Sequence, residues 1–159
     1  MQHSLDPDGT DRALHICFVT DDIQSFTEWM AALFGAEQPA IHDSFPPDIA
    51  RVMFHGKPSD ASFRQAFLSW RGTEIEIIEP GPEPSSWREF LEKNGPGVHH
   101  LGFAVRSLDA TAAELEGLGA PAQQHGEFPD GRYLYSDATP RLGTMIELLE
   151  FTGGPFQSR

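Results

Sequence analysis

Two histidines and two glutamates, His15, Glu76, His100 and Glu147, stand at matched places of an internal repeat in this chain. Two imidazoles with two carboxylates form a donor set suited to one divalent cation of the Zn, Ni, Co, Mn or Fe(II) type, with further positions left for water or substrate. The repeat itself is visible in the strings. LHICFVTDDIQSFTEWMAALFGA, from Leu14, resembles HHLGFAVRSLDATAAELEGLGA, from His99, with His15 over His100, Phe18 over Phe103 and Ile23 over Leu108, an offset of 85. Further on, Ile75 to Glu79 (IEIIE) matches Ile146 to Glu150 (IELLE) at an offset of 71, so the first copy holds 14 extra residues between its landmarks. A Pro- and Asp-rich insertion between Glu37 and Asp60 can absorb them.

The elements that must position these four residues follow from periodicity and stop signals. Each copy opens on an alternating strand and continues into a capped helix. Asp21 or Asp22 caps the first helix, Ile23, Phe26, Met30 and Leu33 mark its apolar stripe, and Gly35 stops it. Ser107 caps the second, which carries Leu108, Leu115 and Leu118 and ends at Gly119. Three strands follow in each half: near Arg51 to His55, Phe63 to Trp70 and Glu74 to Glu79, then near Pro121 to Gln124, Arg132 to Asp137 and Thr144 to Phe151. Turn signals at Gly56-Lys57-Pro58, Arg71-Gly72 and Pro129-Asp130-Gly131 separate several of them. Between the halves, Ser86 and Glu89 are spaced as a capping box for a short helix that Gly95 closes. The expected organisation is α+β, with two tandem βαβββ modules. Residues 1–12 form an N-terminal tail, 13–80 the first module, 81–98 a linker, 99–152 the second module and 153–159 a C-terminal tail.

Strand parity then sorts the faces. Leu14, Ile16 and Phe18 share one face, with His15, Cys17 and Val19 opposite. Leu101, Phe103 and Val105 oppose His100, Gly102 and Ala104. Ile75 and Ile77 oppose Glu76, and Ile146 and Leu148 oppose Glu147. The bulky apolar faces are expected on the helices, and each half offers one His and one Glu on the other face, beside small residues that leave room for a ligand. In a regular strand His99 points away from His100. His3, His42, His55, His99 and His125 are read as surface or loop residues, and Glu74 as a solvated carboxylate on the face of Glu76.

Composition excludes several classes of partner. The chain has 159 residues, 11 Lys+Arg against 24 Asp+Glu and a formal net charge of −13, which repels a phosphate backbone. Nucleic acid is not an expected partner, and an anionic ligand would need a local cluster drawn from Arg51, Arg64, Arg132 or Arg141. No apolar run approaches the roughly 20 residues of a membrane span. The opening MQHSLDPDGTDR lacks the basic and apolar regions of a signal peptide, so the expectation is a cytoplasmic protein with no membrane partner. Its single cysteine, Cys17, forms no internal disulfide and is read as a packing residue.

The LHICFV and HHLGFAV openings and the IEIIEP and MIELLE closings, in a repeated βαβββ frame, resemble the vicinal oxygen chelate superfamily of glyoxalases, bleomycin resistance proteins and dioxygenases over roughly Ala13 to Phe151. GVHHLGFAV followed by a helix is most similar to methylmalonyl-CoA epimerases and the related glyoxalase I enzymes. The resemblance implies a curved mixed-sheet cup around the metal, whose ligands fall at His15, Glu76, His100 and Glu147. It also implies a small-molecule carbonyl substrate, with acyl-CoA compounds among the candidates, and a homodimer whose site is built either within one chain or across the interface. The implied reaction is removal of a proton next to a carbonyl held by the metal, as in an isomerase, epimerase or lyase. Glu147 is then the first candidate for both ligand and base, and Glu76 the second. An extradiol dioxygenase, with Fe(II) on two His and one carboxylate, and a metal-free binding protein of the same fold are the alternatives.

Two departures from the resembling enzymes bear on substrate. The epimerases carry an additional carboxylate on the second strand of the first half, where the string ARVMF places Arg51. Bacterial glyoxalase I enzymes carry an Arg and an Asn for glutathione where this chain has Val19 and Pro80. Methylglyoxal with glutathione, assayed under several added divalent metals, is therefore expected to give little turnover; efficient isomerisation would contradict the argument from these two positions.

Overall fold

The computed structural model describes residues 11–153. The tails, including His3, lie largely outside the described residues. Ten strands form one mixed sheet that curls into a half-barrel: β1 (Arg12–Val19), β2 (His42–Asp43), β3 (Met53–Phe54), β4 (Lys57–Pro58), β5 (Phe63–Trp70), β6 (Thr73–Pro80), β7 (Gly97–Ala104), β8 (Ala122–Phe128), β9 (Gly131–Ser136) and β10 (Met145–Phe151). Their order is β2-β5-β6-β1-β7-β10-β9-β8-β3-β4. The two copies of the repeat thus meet at β1 and β7, which run antiparallel, while β1–β6 and β7–β10 are the parallel pairs. Five helices complete the fold: α1 (Ile23–Phe34), α2 (Pro47–Ala50), α3 (Ser86–Asn94), α4 (Leu108–Gly117) and α5 (Thr139–Leu142).

The expected strand near Arg51 to His55 exists as β3 but belongs to the other half, pairing Met53 with His125 and Phe54 with Gln124 of β8. The second strand of the first half is instead β2, paired with β5. Arg51 lies on no strand; it ends α2 in the left-handed region, at φ 42. Residues 44–52 therefore run from β2, at one edge of the sheet, to β3, the strand next to its other edge. Nine residues reach at most about 30 Å, so the sheet must have curled for the two edges to be so close. The inserted segment spans the mouth of the cup.

The long helices start and stop largely as their sequences dictate. Asp22, not Asp21, caps α1 by accepting from Ser25 N, and Gly35 ends it at φ 62; Ser107 caps α4 through Ala110 N. Ile23, Thr27, Met30 and Ala31 make the buried stripe of α1 against Ala66, Leu68, Ile75 and Ile77. Leu33 and Leu118, expected in the stripes, are 57% and 64% exposed; Leu33 falls in the last turn of α1 and Leu118 is the residue that ends α4. Leu108 and Leu115 of α4 pack with Val105, Leu134 and Leu148. A third cluster fills one end of the concave side, where Trp87 of α3 meets Cys17, Val19, Val52, Ile78, Tyr135 and Met145. The cap of α3 is Ser85, which accepts from Arg88 N, so Ser86 is already helical and the expected Ser86/Glu89 box does not form; Gly95 ends the helix as expected. Glu89 turns outward to His55 and Gln123.

One clamp occurs twice. Glu79 Oε2 accepts the first helical N–H of α1, from Ile23, while Arg64 holds Oε1; Glu150 Oε2 accepts Leu108 N of α4, with Arg132 on the same carboxylate. A carboxylate at a helix N-terminus is favoured by the exposed N–H groups and the helix dipole, and here it also ties each helix to the closing strand of its own half. Glu150→Ala is expected to lower stability by about 1–2 kcal/mol, read as a reduced urea midpoint at unchanged m-value.

Candidate metal centre

Parity and register bring the four expected ligands together on the concave face. His15 sits opposite Gly102 of β7, and Gly102 in turn lies opposite Glu147 of β10. Cys17 lies between Glu76 of β6 and His100 of β7. A side chain on residue 102 would meet the His15 ring at 2.5 Å. The space left by this glycine is thus taken by the imidazole itself, which needs that close approach.

Four atoms converge. His15 Nε2 is 3.0 Å from His100 Nε2, 2.9 Å from Glu147 Oε2 and 3.4 Å from Glu76 Oε2, and His100 Nε2 is 3.2 Å from each carboxylate oxygen. All four are buried. Apart from the two imidazoles, no donor among the described residues reaches Glu76 Oε2 or Glu147 Oε2, although stranding a buried carboxylate oxygen is costly. A cation about 2.0–2.1 Å from each donor separates neighbours by roughly 2.9 Å at right angles and roughly 3.4 Å at the tetrahedral angle. The observed 2.9 to 3.4 Å lies in that range, so the residues fit a divalent cation. Among the described residues no other cluster of this kind occurs.

The electrostatics point the same way. Burial opposes a charged Glu147, but His100 and His15 outweigh it and hold the carboxyl below its usual value. Burial likewise opposes the His15 cation, and Glu76 and Glu147 raise it nonetheless. His100 is driven well above the ordinary histidine value against burial, by Cys17 and Glu147. Since burial pushes the Cys17 thiol up and keeps it neutral, the carboxylate is the effective partner.

Sequence reasoning placed His42, His55 and His125 on the surface, and they are exposed. It misplaced His99, which is fully buried. The register slips between Cys17↔His100 and Phe18↔Val98, leaving His99 as an extra bulge residue on β7. Its Nδ1 then lies 2.9 Å from His100 Nδ1 and its Nε2 2.9 Å from Ser86 Oγ. Three of the four arginines are held by carboxylates, Arg51 by Glu127, Arg64 by Glu79 and Arg132 by Asp109 and Glu150, and the fourth, Arg141, is exposed on α5. Glu74 is exposed, and Val19 and Pro80 are buried. On β2, His42 is opposite Gln65, whose neighbours Phe63 and Phe67 alternate onto the concave side. No carboxylate of β2 shares that side.

The family model of the Glyoxalase/Bleomycin resistance protein/Dioxygenase superfamily matches residues 14–135, and the chain belongs to that superfamily. No curated protein sequence matches it. The fold is similar to that of methylmalonyl-CoA epimerase from Mycobacterium tuberculosis (TM-score 0.58, 23% identity, 88% of this chain and 87% of that one). It is also similar to a Streptomyces coelicolor methylmalonyl-CoA epimerase in complex with 2-nitronate-propionyl-CoA (0.60, 20%, 92% and 98%). A 4-hydroxymandelate synthase mutant from Streptomyces coelicolor matches at 0.57 and 14%, over 93% of this chain and 50% of that one. Among the described residues no helix is long and apolar enough to cross a membrane.

The shifts give a pH dependence with a definite sign. His15 and His100 have raised folded-state values, so their contribution to metal-free stability is complete below the unfolded histidine value of about 6.5 and is lost as pH rises through the raised values. Glu147 has a lowered value, so its contribution is present above about 4.5 and is lost as pH falls through the lowered one. Chelator-treated protein should therefore melt at a lower temperature at pH 9 than at pH 6. Added Zn or Mn should restore more stability at pH 9, where protons compete less for the ligands. A metal-free melting temperature that rises over this interval would contradict the pairing.

Proposed function

We propose that the chain is a divalent-metal-dependent isomerase, epimerase or lyase that abstracts a proton next to a carbonyl, with His15, Glu76, His100 and Glu147 as ligands. The observation that supports it best is the convergence of four buried donor atoms, two of them carboxylate oxygens that no group other than the two imidazoles approaches as a donor. The bound cation would supply electrostatic stabilisation of the negative charge that develops on the carbonyl oxygen. Glu147 is the proposed base. Its carboxylate belongs to the proposed ligand cluster and is ionised; in the metal-free chain the imidazoles that favour the charged form also weaken it as a base. Glu76 has the equivalent place in the other half. Apolar walls from Trp87, Tyr135 and Val19 close one end of the cup and exclude water from the proton transfer.

Charge bears on substrate class. Arg51, Arg64 and Arg132 each pair with carboxylates, and a formal net charge of −13 disfavours a polyanion. A small 2-substituted carbonyl compound suits the acidic surface better, with an acyl-CoA as the second candidate suggested by the epimerase likeness. Homodimer formation and residence in the cytoplasm belong to the same proposal.

Solvent exchange tests it. Metal-loaded protein in deuterated water should catalyse deuterium incorporation next to the carbonyl in one or more members of a panel of 2-oxo acids, 2-substituted acids and acyl-CoA thioesters. Glu147→Gln should retain some metal, measured by elemental analysis, and lose about 10²-fold or more in exchange rate, the scale of a general base. Exchange at the wild-type rate with metal still bound would move the base to Glu76. A panel without exchange, together with ring cleavage of a catechol under Fe(II) and oxygen, would replace this reading by the dioxygenase one.

A further inference from the structure

His99 and Ser86 are buried polar residues with no part in the reaction just described. The bulge on β7 turns His99 onto the same side as His100, so that the two Nδ1 atoms face each other at 2.9 Å. His99 Nε2 meets Ser86 Oγ at 2.9 Å, and that hydroxyl donates to Met145 Sδ at 3.1 Å. Thr144 Oγ1 donates to the His99 carbonyl, Gln124 Oε1 accepts from Ser86 N, and the His99 ring lies edge-on to Phe90 and Tyr135. His99, Ser86, Gln124 and Met145 are all almost completely buried, so no water is needed to complete the chain of hydrogen bonds.

Hydrogen counting fixes its direction. Two facing ring nitrogens share one proton. If His100 offers the Nε2 lone pair to a cation, its proton sits on Nδ1 and is donated to His99 Nδ1. His99 then carries its own proton on Nε2 and donates it to Ser86 Oγ, which passes its hydrogen to the Met145 sulfur, an acceptor only. Run the other way, Ser86 donates to His99 Nε2 and His99 Nδ1–H to His100 Nδ1. His100 then presents Nε2–H to His15, Glu76 and Glu147, which closes the cluster to a cation and leaves the sulfur without a donor.

We propose that Ser86 and His99 are positioning residues that hold His100 in its Nδ1–H tautomer, so that the first turn of α3 sets the affinity of the ligand cluster for its metal. This rests on the ligand set proposed above. A ligand imidazole usually gives its second N–H to a carboxylate, a backbone carbonyl or water; here the acceptor is another imidazole, whose own orientation is set from the linker between the two halves. Removing either residue frees His100 to take the other tautomer or to rotate.

Ring nitrogen–proton correlation spectra of the metal-free protein with 15N-labelled histidine, recorded at a pH high enough for the His100 ring to be neutral, read the direction without metal or activity. The expected pattern is His99 protonated at Nε2 and bare at Nδ1, with His100 protonated at Nδ1. A His99 protonated at Nδ1 opposite a bare His100 Nδ1 would overturn the proposal. In competition titrations with a chromophoric chelator, His99→Leu and Ser86→Ala should bind Zn or Co(II) about 10–100-fold more weakly. His99→Gln, whose amide oxygen can accept from His100, should recover part of the loss. Affinities within twofold of wild type in Ser86→Ala and His99→Leu, both melting cooperatively, would also overturn it. A wild-type chain that binds no divalent metal would remove the ligand set, and this inference with it.

Discussion

Two carboxylates cannot be kept together in a dry cup without positive charge beside them, and much of this structure answers that constraint. Glu76 and Glu147 have their Oε2 atoms buried, with no donor but the two imidazoles beside them, at the seam between the two halves. In the metal-free chain only the two imidazoles can neutralise them. The cost of desolvating such a pair is several kcal/mol per ion when uncompensated, so the arrangement makes physical sense as a site waiting for a divalent ion. His15 and His100 are poised between the two states, as cations that pair with the carboxylates or as neutral donors that join them.

The fold meets this demand through symmetry and close approach. Antiparallel pairing of β1 with β7 sets one histidine from each half side by side, and the parallel partners β6 and β10 bring the glutamates in from either flank. Gly102 lets the His15 ring lie flat against the neighbouring strand. The Arg–Glu clamps at Glu79 and Glu150 anchor α1 and α4 to β6 and β10, the strands that carry Glu76 and Glu147.

Much of this was legible in the sequence because it depends on period and parity alone. A period of two placed His15, Glu76, His100 and Glu147 on one face, and the caps at Asp22 and Ser107 and the stop at Gly35 follow from local chemistry. What escaped depends on long-range pairing. Met53 and Phe54 have the makings of a strand, but nothing local tells them to pair with β8 across the cup rather than with β5. His99 escaped because a bulge cancels parity at that point, and a bulge is set by how β1 and β7 dock, not by either strand alone. The adjacency of two histidines was the available signal, since a regular strand would have sent one of them into the helix-side core. The cap of α3 fell one residue earlier than the expected Ser86, because the Ser86 hydroxyl meets His99 in the core while Ser85 accepts from Arg88 N.

The halves are symmetric in the four clustered residues but not in what covers them. Opposite Glu147 stands Tyr135, fully buried, its ring 4.8 Å from His100 and its hydroxyl accepting from Trp87 of α3. Opposite Glu76, at the equivalent place, stands Phe67, 41% exposed. The linker helix and the inserted segment have filled the second half of the cup and left the first half open. The two glutamates themselves are equally buried, at 7% and 5% exposure, and both imidazoles lie within 3.4 Å of each carboxylate. The asymmetry between the halves therefore lies in the aromatic residue set opposite each glutamate, not in the spacing of the four clustered atoms.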